Sequence, residues 1–282
     1  MTGRTIVITG ASDGIGAAAA KRLSRSAENV VVVGRSPQKT AAIAEALGAD
    51  FYVADFAELA QVRELAGRLL DKYPRIDVLA NNAGGMFDGP ERTVDGYEKT
   101  FQVNHLAPFL LTNILLGRLI ESRAAVLNTS SQANRFSTTD LDDLDALQSR
   151  GGMVAYATSK LANILFTKAL HRRYHEAGIS TAAFHPGTVA SNFSADAKNP
   201  AFALIYRTPL RYIGLVGPEP GSDELVWLAS STPGVDWIPG EYYAKHKIGK
   251  THKQASDAGV VERLWNRSLE MVGSPSAPKE AS

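Results

Sequence analysis

Short runs of β-branched and apolar residues alternate along the chain with longer Ala- and Leu-rich segments whose apolar positions recur at helical spacing. The strand-like runs are TIVIT (5–9), NVVVVG (29–34), DFYVAD (50–55), IDVLANN (76–82), AAVLNTS (124–130) and ISTAAFH (179–185). Between them lie amphipathic stretches such as GAAAAKRLSRSA (16–27), AELAQVRELAGRLLDKY (57–73) and SKLANILFTKALHRRYHEAG (159–178). Strands that are apolar throughout belong in a parallel sheet covered on both faces, with the helices as crossovers. The pattern predicts an α/β fold: one doubly wound domain over residues 1–272, a parallel sheet with helices on both faces. A Pro-punctuated region at 188–221 has no clear period. GSPSAPKEAS (273–282) has the composition of a disordered tail.

Composition narrows the function. The 282 residues carry 30 basic and 29 acidic side chains, a formal charge of +1, so nothing points to a nucleic-acid partner. There is no cysteine, which removes disulfides, thiolate nucleophiles and sulfur-based metal sites and fits a reducing compartment. No apolar run reaches the roughly 18–20 residues that cross a bilayer. The expectation is a cytoplasmic protein without a stable membrane anchor. His171 and His175 share a helical face, but HRRYH lacks the Glu of a zinc-binding helix, and a solvated helix end is the better reading. Asp140, Asp142, Asp143 and Asp145 lack the glycine and terminal Glu of a calcium loop and read as a polar surface insertion. No metal site is expected.

The first strand runs into TGASDGIG, with glycines at 10, 14 and 16 before an Ala-rich helix. A tight turn, close backbone approach and a helix N-terminus together make a pyrophosphate site, the mark of a Rossmann-type domain. The spacing is G-x-x-x-G-x-G, not G-x-G-x-x-G. After the second strand, where an acidic residue would hold the ribose of NAD, the chain has Arg35, whose guanidinium can pair with a 2′-phosphate. Ser36 could assist, and Asp13 counts against. The balance favours NADP(H) and leaves NAD(H) open. Tyr156 and Lys160, four apart, share one helical face. A phenol titrates near pH ~10 and is a poor acid or base at neutrality unless a neighbouring cation stabilises its charged form.

Taken together, these segments resemble the short-chain dehydrogenase/reductase family. TGASDGIG is similar to its cofactor loop, NNAG (81–84) to its motif after the fourth strand, and VNHL (103–106) to the segment carrying its catalytic Asn. NTSSQA (128–133) resembles its serine segment, YATSK (156–160) its Tyr-x-x-x-Lys pair, and HPGT (185–188) its loop beside the nicotinamide. TVDGYEKTFQVNHLAPFLLTNILL and SKLANILFTKALHRRY resemble the retinol-dehydrogenase-like and WW-domain-containing oxidoreductase branch. Where that branch has Gly-His after Leu106, this chain has Ala107 and Pro108, and a proline in the first turn of a helix disturbs it little.

The resemblance implies hydride transfer between a nicotinamide and a carbonyl or carbinol carbon, with catalytic Asn104, Ser131, Tyr156 and Lys160. Tyr156 would be the acid/base, Lys160 the cation beside it, Ser131 a hydrogen-bond donor to the substrate oxygen, and Asn104 the holder of a relay water. Of the two serines, the resemblance to the family's serine segment places the active one immediately before the x-A pair, at Ser131, and Ser130 would then point to the other side of the strand. The cofactor would be held by Gly10, Ser12, Gly14, Ile15, Gly16, Arg35, Asp55, Asn82, Ala83, Gly84, Tyr156, Lys160, Pro186, Gly187 and Thr188. For Asp55 a helix N-cap is an equal reading. In the family the segment after HPGT covers the substrate. Here that lid (about 188–221) is rich in Phe, Leu, Ile and Tyr, which suggests a small lipophilic ketone, aldehyde or alcohol as partner. The same residues could instead pack against a subunit, leaving a homo-oligomer open. Two alternatives stand beside the enzyme reading: a non-catalytic NAD(P)-binding regulatory protein, and a light-dependent protochlorophyllide reductase-like enzyme, which the lack of cysteine disfavours.

Overall fold

The computed structural model describes residues 3–26, 28–87, 91–141, 143–187 and 217–273. Thr188, the predicted lid up to residue 216, Asp142 and the tail from 274 lie outside the described residues. Each of the six predicted strands forms: β1 (Thr5–Thr9), β2 (Asn29–Gly34), β3 (Asp50–Val53), β4 (Val78–Asn81), β5 (Ala125–Thr129) and β6 (Ser180–Phe184). Two further short strands follow, β7 (Glu241–Ala244) and β8 (Lys247–Ile248). Among the described residues the sheet order is β3-β2-β1-β4-β5-β6-β7-β8. All neighbours pair in parallel as far as β7, and β8 turns back antiparallel to it.

Period-two alternation divides the strand side chains between two cores. Val7, Val31, Val33, Leu79 and Val126 face one layer, and Ile6, Ile8, Val30, Val32, Val78 and Leu127 face the other. On the first face pack α3 (Leu59–Lys72), α5 (Ala107–Ile114), α7 (Gly152–Tyr174) and the C-terminal α10 (Ala258–Val272). On the second lie α1 (Gly14–Ser24), α2 (Pro37–Leu47) and α9 (Asp223–Ser230), with α8 (Pro218–Gly221) leading into the last of these. The short α4 (Lys99–Phe101) passes through a π-helical turn (Gln102–Leu106) into α5. Pro108 stands in the first turn of α5, as expected. The remaining helix, α6 (Leu116–Glu121), leads back to β5.

One agreement with the sequence reading and one difference bear on function. Helix α7 begins at Gly152, ahead of the amphipathic stretch from 159, and carries both Tyr156 and Lys160, as their four-residue spacing predicted. The acidic stretch 140–145 is more than a surface insertion. Its described acids are exposed, but Leu141, Leu144 and Leu147 between and after them are buried in the main core. Asp143 caps the 3₁₀ turn Leu144–Ser149, and Asp145 pairs with Arg267 of α10 at 3.2 Å.

Candidate active site

The strand order reverses between β1 and β4, and a cleft of about 780 Å³ opens there, outside the carboxyl ends of the strands. Its lining includes Gly10, Ser12, Gly14, Ile15 and Gly16 from the loop after β1, and Arg35, Ser36 and Lys39 after β2. Asp55 follows β3, and Asn82, Ala83 and Gly84 follow β4. Ser130 and Ser131 follow β5, Tyr156 and Lys160 come from α7, and His185, Pro186 and Gly187 follow β6. Of the sequence-predicted residues that are described, Asn104 alone is not on this wall, and it stands directly behind Gly84 and Gly85.

The turn after β1 is possible because Gly10 has φ +67° and a Cβ there would stand 2.7 Å from Ala83 Cα. The ends of β1 and β4 are cross-braced: Thr9 Oγ1 accepts from the backbone N–H of Asn82 and of Ala83, both at 3.0 Å. The Asn82 amide returns a bond to Thr9 O at 3.0 Å. Asp13 caps α1 through Gly14 N (2.7 Å) and also pairs with Lys39 Nζ at 2.9 Å. The aspartate that counted against a phosphate is thus itself countered by a cation. Lys39, in the first turn of α2 and four residues after Arg35, escaped the sequence reading. Asp55 is not an N-cap: Glu58 occupies that position before α3, while Asp55 Oδ1 closes a turn onto Ala57 N (2.9 Å).

At the other end, Lys160 is buried, its ammonium donating to Thr129 O at 3.1 Å and lying 5.5 Å from the centre of the Tyr156 ring. Burial alone pulls its pKa down to about 7. Ser130 turns inward and donates to the Lys160 carbonyl at 2.7 Å. Ser131 faces the cleft, and its Oγ accepts from Ala133 N at 3.2 Å, a bond that leaves its own proton available. Asn104, in the π-helical turn, clasps Gly85 from both sides: Oδ1 accepts from Gly85 N (2.8 Å) and Nδ2 donates to Gly85 O (2.9 Å). Nδ2 also reaches Ser159 Oγ at 3.0 Å, and that hydroxyl donates to Tyr156 O at 2.8 Å. Met86, Phe87, Val103 and Met153 add apolar surface to the cleft.

These residues fit a dinucleotide. The N-terminal amides of α1 open onto the cleft, two cations stand at the end of β2, and buried His185 Nδ1 has no partner within the described protein. Burial, with Lys245 nearby, brings the His185 pKa down to about 4, so its ring is neutral. The His171 and His175 rings lie 4.5 Å apart, tilted by 36°, and no cluster of three metal-ligating side chains occurs among the described residues. No described helix is long and apolar enough to cross a membrane.

Comparison with known proteins agrees with this geometry. Residues 4–201 match the family model for short chain dehydrogenases. The chain is 41% identical, over 97% of its length and 94% of the relative's, to a Streptomyces sp. (strain C5) protein provisionally named a daunorubicin C-13 ketoreductase. It is 34% identical to retinol dehydrogenase 14 of Homo sapiens, over 97% of this chain and 87% of that one. Among solved structures, an uncharacterised protein from Mycobacterium paratuberculosis superposes with a TM-score of 0.76 at 31% identity, covering 98% and 95% of the two chains. A short chain dehydrogenase from Shigella flexneri complexed with NADP superposes at 0.62, with 26% identity over 81% and 91%. The chain belongs to the short-chain dehydrogenase/reductase family, in its retinol-dehydrogenase-like branch, and is an NAD(P)-dependent oxidoreductase.

Proposed function

We propose that this enzyme is an NADP-dependent oxidoreductase acting on a lipophilic ketone, aldehyde or alcohol, with Tyr156 as its acid/base. The observation that carries the reading is the buried Lys160 ammonium beside the Tyr156 ring, in the same cleft as the glycine loop and Ser131. The nicotinamide, when bound, gives or takes the hydride. Tyr156 donates its phenolic proton to the oxygen of a carbonyl being reduced and recovers it in the reverse direction. Lys160 favours the charged phenolate, and Ser131 donates a hydrogen bond to the substrate oxygen as charge develops there. Asn104 holds the Gly84–Gly85 turn and, through Ser159, the first turns of α7 that carry Tyr156.

Arg35 and Lys39 support NADP: both line the end of the cleft beyond β2, where a 2′-phosphate would sit. Gly10, Ser12, Gly14, Ile15, Gly16, Asn82, Ala83, Gly84, Pro186, Gly187 and Thr188 complete the proposed cofactor contacts, and Asp55 faces the adenine. A lipophilic substrate is supported by Met86, Phe87, Val103 and half-exposed Met153 on the cleft wall, and by exposed Phe136 at the end of the turn that follows Ser131. The names of the relatives, a daunorubicin ketone reductase and a retinol dehydrogenase, point the same way. The absence of cysteine fits work in the cytoplasm.

The test is consumption of NADPH, with NADH alongside, against a panel running from small water-soluble ketones to polycyclic aryl ketones and retinoid aldehydes. The expected result is kcat/KM rising at least about tenfold from the hydrophilic to the lipophilic substrates, with NADPH preferred. A preference for the hydrophilic ketones, or no turnover across the panel, overturns it.

A further inference from the structure

Two segments that place this chain in its branch, VNHL and SKLAN, meet behind the cleft. Asn163, one helical turn beyond Lys160 on α7, is buried, and its side-chain amide makes three hydrogen bonds. Its Nδ2 donates to Asn104 O and to Thr129 O, each at 3.0 Å, and its Oδ1 lies 3.2 Å from His105 Nδ1. Thr129 O is also the acceptor on which the Lys160 ammonium rests. Asn163 is thus a donor to the Asn104 carbonyl, to which Pro108, four residues on, has no N–H to offer.

The orientation of this amide is determined by its partners. Two carbonyl oxygens can only accept, so the NH₂ group must face them, which turns Oδ1 toward the imidazole. Oδ1 accepts in turn, so Nδ1 of His105 carries the ring proton and Nε2 is left as an acceptor. That acceptor meets Ser268 Oγ of α10 at 2.9 Å. Burial brings the His105 pKa down to about 4, which keeps the ring neutral and this tautomer in place. Phe101, Phe109 and Phe166 surround the imidazole at centroid distances of 5.1 to 6.1 Å and exclude water from it. Ser268, His105 and Asn163 form a fixed chain ending at the carbonyl under Lys160.

We propose that Asn163, oriented by His105 and Ser268, is a positioning residue that sets where the Lys160 ammonium sits relative to Tyr156. The proposal rests on the reading of Tyr156 and Lys160 given above. Asn163 touches neither substrate nor cofactor; it acts by tying Thr129 O and Asn104 O together, one on the strand end and the other on the π-helical turn. Lys160 has Thr129 O as its described acceptor, so a shift of that carbonyl moves the cation. Lys160 shares the cleft with the titratable or charged groups Tyr156, His185, Asp13, Arg35, Lys39 and Asp55, and buried Tyr242 of β7 acts electrostatically on Tyr156; all remain in every variant below except Tyr156 in Tyr156→Phe.

The test is a double-mutant cycle of Asn163→Leu and His105→Phe, with kcat and KM measured across pH. Asn163→Leu is expected to lower kcat about tenfold or more, leave the NADPH KM within about threefold, and move the midpoint of the kcat–pH profile by about half a unit or more. His105→Phe, which preserves the aromatic packing, should produce a smaller shift in the same direction. Because His105 acts through Asn163, the double variant should be no worse than Asn163→Leu alone. An unmoved pH midpoint, or additive losses in the double variant, overturns the proposal. If Asn163→Leu does not fold, His105→Phe decides on the pH midpoint by itself. Tyr156→Phe runs in parallel: if it keeps its turnover, the parent reading fails and this one with it. If it is dead while the Asn163 and His105 variants keep the wild-type midpoint, only the positioning proposal falls.

Discussion

The Lys160 ammonium lies 5.5 Å from the centre of the Tyr156 ring, one turn along the same helix, and the carbonyl it rests on belongs to the end of β5. The cation is therefore fixed by the sheet while the phenol is carried by the helix. Removing only the phenolic oxygen keeps the ring and its packing but takes away the transferable proton. Tyr156→Phe is expected to lower kcat by roughly a hundred- to ten-thousandfold while NADPH still binds with near-normal affinity. Nucleotide titration by fluorescence, alongside steady-state turnover, checks both halves. Full activity in the variant would remove Tyr156 from the chemistry.

Burying Lys160 has a cost that depends on pH. Its folded-state pKa is brought down to about 7 by burial, against about 10.4 in an unfolded chain. Below pH ~7 the side chain is charged in both states, and the folded protein bears the whole penalty. From there up to about pH 10 the folded state binds fewer protons than the unfolded one, so the penalty fades and stability rises. Lys160→Met, of similar shape but uncharged, should have a higher Tm than wild type near neutrality, with the gap closing toward alkaline pH. A gap that stays constant with pH counts against the depressed pKa. Turnover should be lost throughout.

The sheet was legible wherever a strand is buried on both faces, because an unbroken apolar run such as Val30–Val33 has few other uses. The seventh strand was not. Tyr242 and Tyr243 point to opposite cores, but they stand between Gly240 and the Lys245–His246 pair, and two aromatic residues set no period. The glycine loop, NNAG, the serine pair and Tyr-x-x-x-Lys were all readable, since each is a contiguous motif. Lys39 and Asn163 were not, because their partners Asp13 and His105 are 26 and 58 positions away and only the fold joins them.

At the far end of the cleft, cofactor choice turns on charge. Replacing Arg35 with Asp removes a planar cation and puts a carboxylate where a 2′-phosphate would lie. The ratio of kcat/KM for NADPH over NADH should fall by roughly ten- to hundredfold, the worth of one charge-assisted hydrogen bond. Asp13→Asn should do the opposite. It releases Lys39 from a half-exposed ion pair and removes a negative charge from the same corner, so the ratio should rise severalfold. Steady-state assays with both cofactors separate the two effects, and an unchanged ratio in Arg35→Asp would sink the phosphate assignment.

The segment between Ser131 and Tyr156 is held by its leucines, not by its acids. Leu144 and Leu147 are three apart, the period of the 3₁₀ turn they occupy, and so enter the core on one side. The aspartates around them obscured that spacing in the sequence. Leu147 has no exposed surface, so truncating it to Ala should cost about 2–5 kcal/mol, the range for a buried leucine that leaves a cavity. Asp145→Ala removes only an exposed ion pair with Arg267 and should cost less than about 1 kcal/mol. Urea unfolding of the two variants tests the contrast. The reverse order, or equal small losses, would return this stretch to the status of a surface loop. Because Leu144 and Leu147 anchor the 3₁₀ turn that leads into α7 and Met153, Leu147→Ala should also raise the substrate KM through the Met153 wall, while the NADPH KM stays as it was.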